Sequence, residues 1–136
     1  MREAFTAAGK PVDQLETNYE QLSFFDRLPE ASQRQLLEGS LESLDVAKKE
    51  FDGMLASWAH GDVQGVAKTF NEDLAQSPEV QRTILRQRNS NWSRWVERRM
   101  AQPGTIMVAV GAGHLAGSAS LIEQLKRDGL HVRRLQ

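Results

Sequence analysis

The chain has 136 residues, with 17 lysines and arginines against 18 aspartates and glutamates, and no cysteine. A length of this order holds one domain. The balanced charge excludes a global pull toward nucleic acid or an anionic membrane, and the missing thiols exclude a disulfide framework, a thiolate metal site and a cysteine nucleophile. With 40% hydrophobic residues the chain can bury a core, and no apolar run reaches the roughly 20 residues that span a bilayer.

Met1 to Gly9 carries an early acid and no apolar stretch, so it is not a secretory signal. It reads as the last two turns of a helix stopped by Gly9 in the left-handed conformation. A helix that begins without a cap looks cut. The expectation is one domain over residues 1–136, either the C-terminal part of something longer or a chain that starts this way naturally. Lys10 to Glu16 is a short strand candidate, with Pro11 at its edge or start. Thr17 followed by Glu20 forms a capping box. The helix behind it carries Tyr19, Leu22, Phe25 and Leu28 and ends at Pro29.

Leu37, Leu41, Leu44, Ala47, Phe51, Met54, Leu55 and Trp58 recur at spacings of three and four. They predict one continuous helix of about 25 residues, stopped by Gly61. Asp62 caps a further helix through Val63, Val66, Ala67, Phe70 and Leu74. Ser77-Pro78-Glu79 is a helix start, with a cap, a proline in the first turn and an acid on the dipole. That helix runs to about Met100 and stops before Pro103-Gly104. Thr105 to Val110 is an apolar and β-branched run, expected as a strand buried on both faces. Gly111 to Gly117 is a glycine-rich turn, Ser118 caps a helix that Gly129 ends, and Leu130 to Leu135 alternates as a last strand. Strand, helix and strand predict a right-handed parallel βαβ unit. The fold class expected is therefore mixed α/β, a small sheet of about three strands with mostly helices around it.

Three polar residues stand where burial is expected. Arg88 lies in line with Ile84 and Trp92 on the stripe of the helix from Ser77. Either it is buried and needs a carboxylate or another anion, or it snorkels to the edge between two aromatics. Glu16, at the end of the first strand candidate, either supplies that counter-charge or is a first-turn acid on the helix dipole. His114 sits in Gly111-x-Gly113-His114-x-x-Gly117, where the glycines allow a tight turn and expose amides near a helix start. There it serves as general base or metal ligand, or it is a loop histidine without a task. His60 and His131 have no such setting.

Two other patterns compete. Gly111-x-Gly113-x-x-Ala116 after a strand fits a dinucleotide-binding fingerprint. Arg133 and Arg134 stand where that fingerprint expects an acid, and the chain stops before further strands could complete the usual sheet. Arg82 to Arg99 with Trp92 and Trp95 could suggest RNA, but the net charge and the helical stripe make it a solvated face over core aromatics.

The same residues carry a family likeness. Leu15-Glu16-Thr17 with Gln21, Arg88-Asn89 with Trp92, and Val108 through Gly111-Ala112-Gly113-His114-Leu115 to Gly117 together resemble the TraB/PrgY/GumN family, which includes the Tiki proteases. The bacterial GumN-like branch is the closest in pattern. The resemblance implies a central sheet flanked by helices and an active site of two G-x-x-H motifs, a glutamate and an arginine. Position by position, it assigns the second G-x-x-H to Gly111–His114, the glutamate to Glu16 and the arginine to Arg88. Asn89, Gln21, Gly111 and Gly113 are implied as binding residues.

It further implies metal-dependent peptide hydrolysis with manganese, cobalt or zinc. His114 and Glu16 would be ligands, with Glu16 alternatively a base. Arg88 would stabilise an oxyanion or hold Glu16 in place. The first G-x-x-H and the family's N-terminal half, which would precede Met1, are missing here, so the resemblance makes the chain the C-terminal part of a GumN-like domain, a half-site inactive alone and with weak or no metal binding. Its partners would be a peptide or protein substrate and a second copy or the missing half. Export is implied by the likeness only. A non-catalytic peptide- or partner-binding module and a dinucleotide-binding fragment are the alternatives.

Overall fold

In the computed structural model, residues 1–39, 41, 44–75 and 77–135 are described, with side chains given there except at 44 and 70–75. The described chain is helical. Helices α1 (Arg2–Ala7), α2 (Asn18–Asp26), α3 (Glu30–Gly39), α4 (Leu44–Ala59), α5 (Val63–Ala75) and α6 (Pro78–Val80) come first. They are followed by a π-helical stretch (Gln81–Gln87), α7 (Arg88–Met100), a 3₁₀ turn (Ala112–His114) and α8 (Leu121–Arg127). None of these helices is long and apolar enough to cross a membrane.

Local signals place the helix ends. Thr17 accepts from the Glu20 amide while the Glu20 carboxylate accepts from the Thr17 amide, a complete capping box. Asp62 accepts from the amides of Gln64 and Gly65 at the start of α5, and Ser77 from that of Val80. Gly9, Gly61 and Gly129 hold positive φ where helices stop. The cap of α8 is Ser120, which accepts from the Glu123 amide, and not Ser118.

The expected α/β class is overturned: the described residues contain no strand and no sheet. Lys10 to Glu16 is an irregular, mostly exposed link. Thr105 to Val110 runs without turn or bend, but it is not covered on both faces. Ile106, Val108 and Val110 are half-buried, while Thr105, Met107 and Ala109 are exposed. Neither it nor 131–135 shows a backbone–backbone hydrogen bond to another described residue. A strand needs a neighbour for its ladder, and no described segment supplies one. The βαβ unit therefore does not form, and the dinucleotide fingerprint lacks its strand–turn–helix context.

The long apolar stripe is also broken. The helix stops at Gly39 and resumes at Leu44, and Leu37, Leu41, Phe51, Leu55 and Trp58 are all exposed. On α2 the buried residue is Phe24, with Leu28 buried just past its end, whereas Tyr19 and Leu22 lie open. The side chains of Leu44, Phe70 and Leu74 lie outside the described set. The core instead gathers where α5, α7 and α8 meet the 3₁₀ turn and the π-helix: Val66, Ala67, Val80, Leu85, Trp92, Val96, Ala116 and Leu121.

The π-helix sets the register of this core. Its i→i+5 bonding widens the turn, so Leu85, five residues after Val80, faces inward. α-helical spacing then carries burial to Arg88, Asn89, Trp92, Ser93 and Val96. Ile84, four after Val80, is only half-buried. We expect Leu85→Ala to cost about 2–4 kcal/mol in urea unfolding and Ile84→Ala clearly less. The reverse order would contradict the register.

Candidate functional site

Arg88, Asn89 and Trp92 occupy positions i, i+1 and i+4 at the start of α7, so the first and third stack along one face. The Arg88 guanidinium is buried, and it finds its anion in Glu16, 72 positions earlier. Its Nη2 donates to Oε1 of Glu16 at 2.6 Å, and its Nε lies 3.1 and 3.2 Å from the two carboxylate oxygens. Nη1 donates to the Ile84 carbonyl at 3.3 Å. The guanidinium lies 5.0 Å from the centre of the Trp92 ring, a cation–π distance. Glu16 immediately precedes the Thr17 cap, so it stands outside helix α2 and its charge goes to Arg88 rather than to the helix dipole.

Trp92 is the link: the family pattern carries it beside Arg88-Asn89 but assigns it no role. Its indole N–H donates to Oε2 of Glu16 at 3.1 Å, and its ring packs on the His114 imidazole with centroids 4.4 Å apart and planes inclined by 48°. A buried indole needs an acceptor. Its position four residues after Arg88 was the available hint, but the residue read as an ordinary core aromatic.

Asn89 holds His114 from the other side. Its Nδ2 donates to the Ala119 carbonyl at 2.7 Å, which turns Oδ1 toward Nδ1 of His114 at 2.8 Å. An amide oxygen only accepts, so Nδ1 carries the proton and the neutral ring keeps its lone pair on Nε2. Burial pushes the His114 pKa down to about 4, aided by the Arg88 charge and opposed by that of Glu16. The imidazole is thus neutral at physiological pH. Ser93, fully buried, donates to Asp128 and ties α7 to the end of α8. No buried side-chain polar atom among the described residues lacks a partner.

The structure therefore brings together Glu16, Arg88, Asn89 and His114. Gly113 is buried under the 3₁₀ turn, while Gly111 is exposed with φ −61°, a value open to any residue. Of the three glycines in the motif, Gly117 is the one with positive φ. Gln21 lies exposed on α2 and makes none of the contacts described for the cluster.

The sequence model of the TraB/PrgY/gumN family matches residues 1–134. The chain belongs to the TraB/PrgY/gumN family. Comparison with curated proteins and with solved structures found no match. Membership bears out the resemblance carried by the Glu16, Arg88 and Gly111–His114 segments, and in this family member those segments converge on one place.

The divalent metal that the family likeness implies can be tested against the donor set. Both carboxylate oxygens of Glu16 already accept from Arg88 or Trp92. What remains is one imidazole nitrogen, and no group of three or more possible ligands exists among the described residues. That set does not fit a bound divalent metal.

The depressed His114 pKa has a stability consequence. Between about pH 4 and 6.5 the unfolded chain binds a proton at this residue that the folded chain refuses, so stability rises with pH across that window and is level for this group outside it. Proton NMR of the imidazole should report a pKa near 4, with nitrogen shifts showing hydrogen on Nδ1. A value near 6.5, or hydrogen on Nε2, would contradict the geometry.

Proposed function

We propose that this TraB/PrgY/gumN-family chain carries one side of a peptide-hydrolysing centre, with Nε2 of His114 as its reactive atom. The observation that supports the reading is the His114–Asn89 hydrogen bond. It fixes the tautomer, so the lone pair of a neutral imidazole stands on Nε2. In the reaction, Nε2 takes a proton from water as the oxygen attacks the peptide carbonyl, and the proton then passes to the leaving amine. An asparagine orienting a catalytic imidazole in this way recurs in unrelated hydrolases.

Glu16 and Arg88 are positioning residues in this account. Their charges face each other, and they act on His114 through Trp92. A base with a pKa near 4 is always ready at neutral pH but weak, so its contribution sits at the low end, about 10²-fold. No step is assigned to a metal, because the residues present supply a single ligand. The missing first G-x-x-H leads to the expectation of inactivity alone; this reading departs from it and assigns the chain a slow hydrolysis of its own, with His114 as base.

The test is hydrolysis of fluorogenic peptides by the wild-type chain and by His114→Ala, across pH. We expect the variant to lose about 10²-fold in rate. The wild-type rate should rise with pH through about 4 and be flat from about 6 to 7.5, following the neutral imidazole. Equal rates in both proteins, a profile that climbs through 6.5, or no hydrolysis by the wild type would overturn the reading.

A further inference from the structure

Glu16 carries the negative charge that a divalent cation would need, and in this fold that charge is already engaged. A carboxylate offers about four lone-pair sites on its two oxygens. Oε1 accepts from Nη2 of Arg88 at 2.6 Å and from its Nε at 3.1 Å. Oε2 accepts from the same Nε at 3.2 Å and from the Trp92 indole N–H at 3.1 Å. Each site thus faces a donor from α7. The pair is also sheltered from water, with the side chains of Arg88 and Glu16 only 9% and 15% exposed.

We infer that Arg88 is the resident cation of this cluster and that its charge bars a divalent metal from Glu16. The guanidinium keeps its proton at any physiological pH. A second cation on the same carboxylate would stand close to it, and like charges repel strongly where water is excluded. An ion that binds Glu16 must therefore first draw it away from Arg88. That leaves a buried guanidinium without its anion. Among the described residues the other contacts of Arg88 are the Ile84 carbonyl and the Trp92 ring, and neither replaces a carboxylate. The inference goes beyond the shortage of ligands. A further ligand brought to the cluster would not free Glu16, whereas removing the Arg88 charge would. It is independent of the hydrolytic reading, which places its chemistry on Nε2 of His114.

The experiment titrates manganese chloride into the whole chain and follows paramagnetic broadening by NMR. The Trp92 indole N–H, bonded to Glu16, reports an ion at that carboxylate. The exposed His60 ring, whose Nδ1 donates to the Ala56 carbonyl, gives the reference for an ion on a lone imidazole. In the wild type we expect Trp92 to broaden no sooner than His60. Arg88→Gln and Arg88→Met remove the charge, and the glutamine can still donate to Glu16, so it is the milder of the two. In either neutral variant that folds, Trp92 should broaden at about a hundredfold less manganese than in the wild type. Arg88→Lys keeps the charge and should behave as the wild type does. Urea unfolding gives a second readout, because an ion that binds only the native chain stabilises it. Manganese should raise the midpoint of Arg88→Gln and leave that of the wild type unchanged. Trp92 broadening ahead of His60 in the wild type overturns the inference. So does an equal response of Arg88→Gln and Arg88→Lys, or no gain in the neutral variants. Selective manganese binding by the wild type would sink this inference and leave the pH profile of His114 to decide the hydrolytic one. A chain that hydrolyses no peptide, yet gains manganese binding on losing the Arg88 charge, would do the opposite.

Discussion

An arginine cannot shed its proton inside a protein, so a buried guanidinium exists only where an anion meets it. Here Glu16 meets Arg88 with Nη2 2.6 Å from Oε1 and Nε within hydrogen-bonding reach of both oxygens. The pair spans 72 positions of chain. It joins the link before α2 to the start of α7, and the same carboxylate receives the Trp92 indole. Desolvating two charges offsets most of what their attraction contributes, so such a pair adds little net stability over apolar packing. Its consequence is positional. Losing either partner leaves a buried charge, which discourages arrangements in which residue 16 sits elsewhere.

From that pair the order extends outward. Trp92 packs on the His114 ring, and Asn89, one residue after Arg88, orients the ring and also binds the Ala119 carbonyl. The histidine is therefore held on two sides by α7 while its motif hangs on a short 3₁₀ turn between two otherwise irregular segments. A buried polar network of this kind is useful only when all its members are satisfied, and that condition holds among the described residues. The π-helix before Arg88 contributes by rotation. It turns Leu85 rather than Ile84 to the inner face ahead of Arg88 and Asn89. Widened turns of this type recur at functional sites.

What could be read from the sequence was mostly local. The Thr17–Glu20 box, the Ser77-Pro78 start and the glycine stops at 9, 61 and 129 involve groups within a few residues, so their chemistry is visible in a short window. The convergence of Glu16, Arg88 and His114 was legible too, since a charged residue in an apolar stripe asks for a partner and the family pattern named two candidates. The sheet was misread because an apolar run specifies extended chain but not the neighbour that makes it a strand. The same limit applies to the 37–58 stripe, expected as one continuous helix: Leu41 lies in a turn between α3 and α4, and Leu37, Leu41, Phe51, Leu55 and Trp58 are exposed. The role of Trp92 and the π register escaped for another reason: the first depends on a distant carboxylate and the second on a one-residue slip that no periodic template contains.

The central claim is that Glu16 and Arg88 act as a unit. A double-mutant cycle with Glu16→Gln and Arg88→Met, followed by urea unfolding, measures that directly. Each single change should destabilise by about 3–5 kcal/mol. The double variant should fall well short of the sum, giving a coupling of about 2–3 kcal/mol. Additive single effects, with no coupling, would contradict the account.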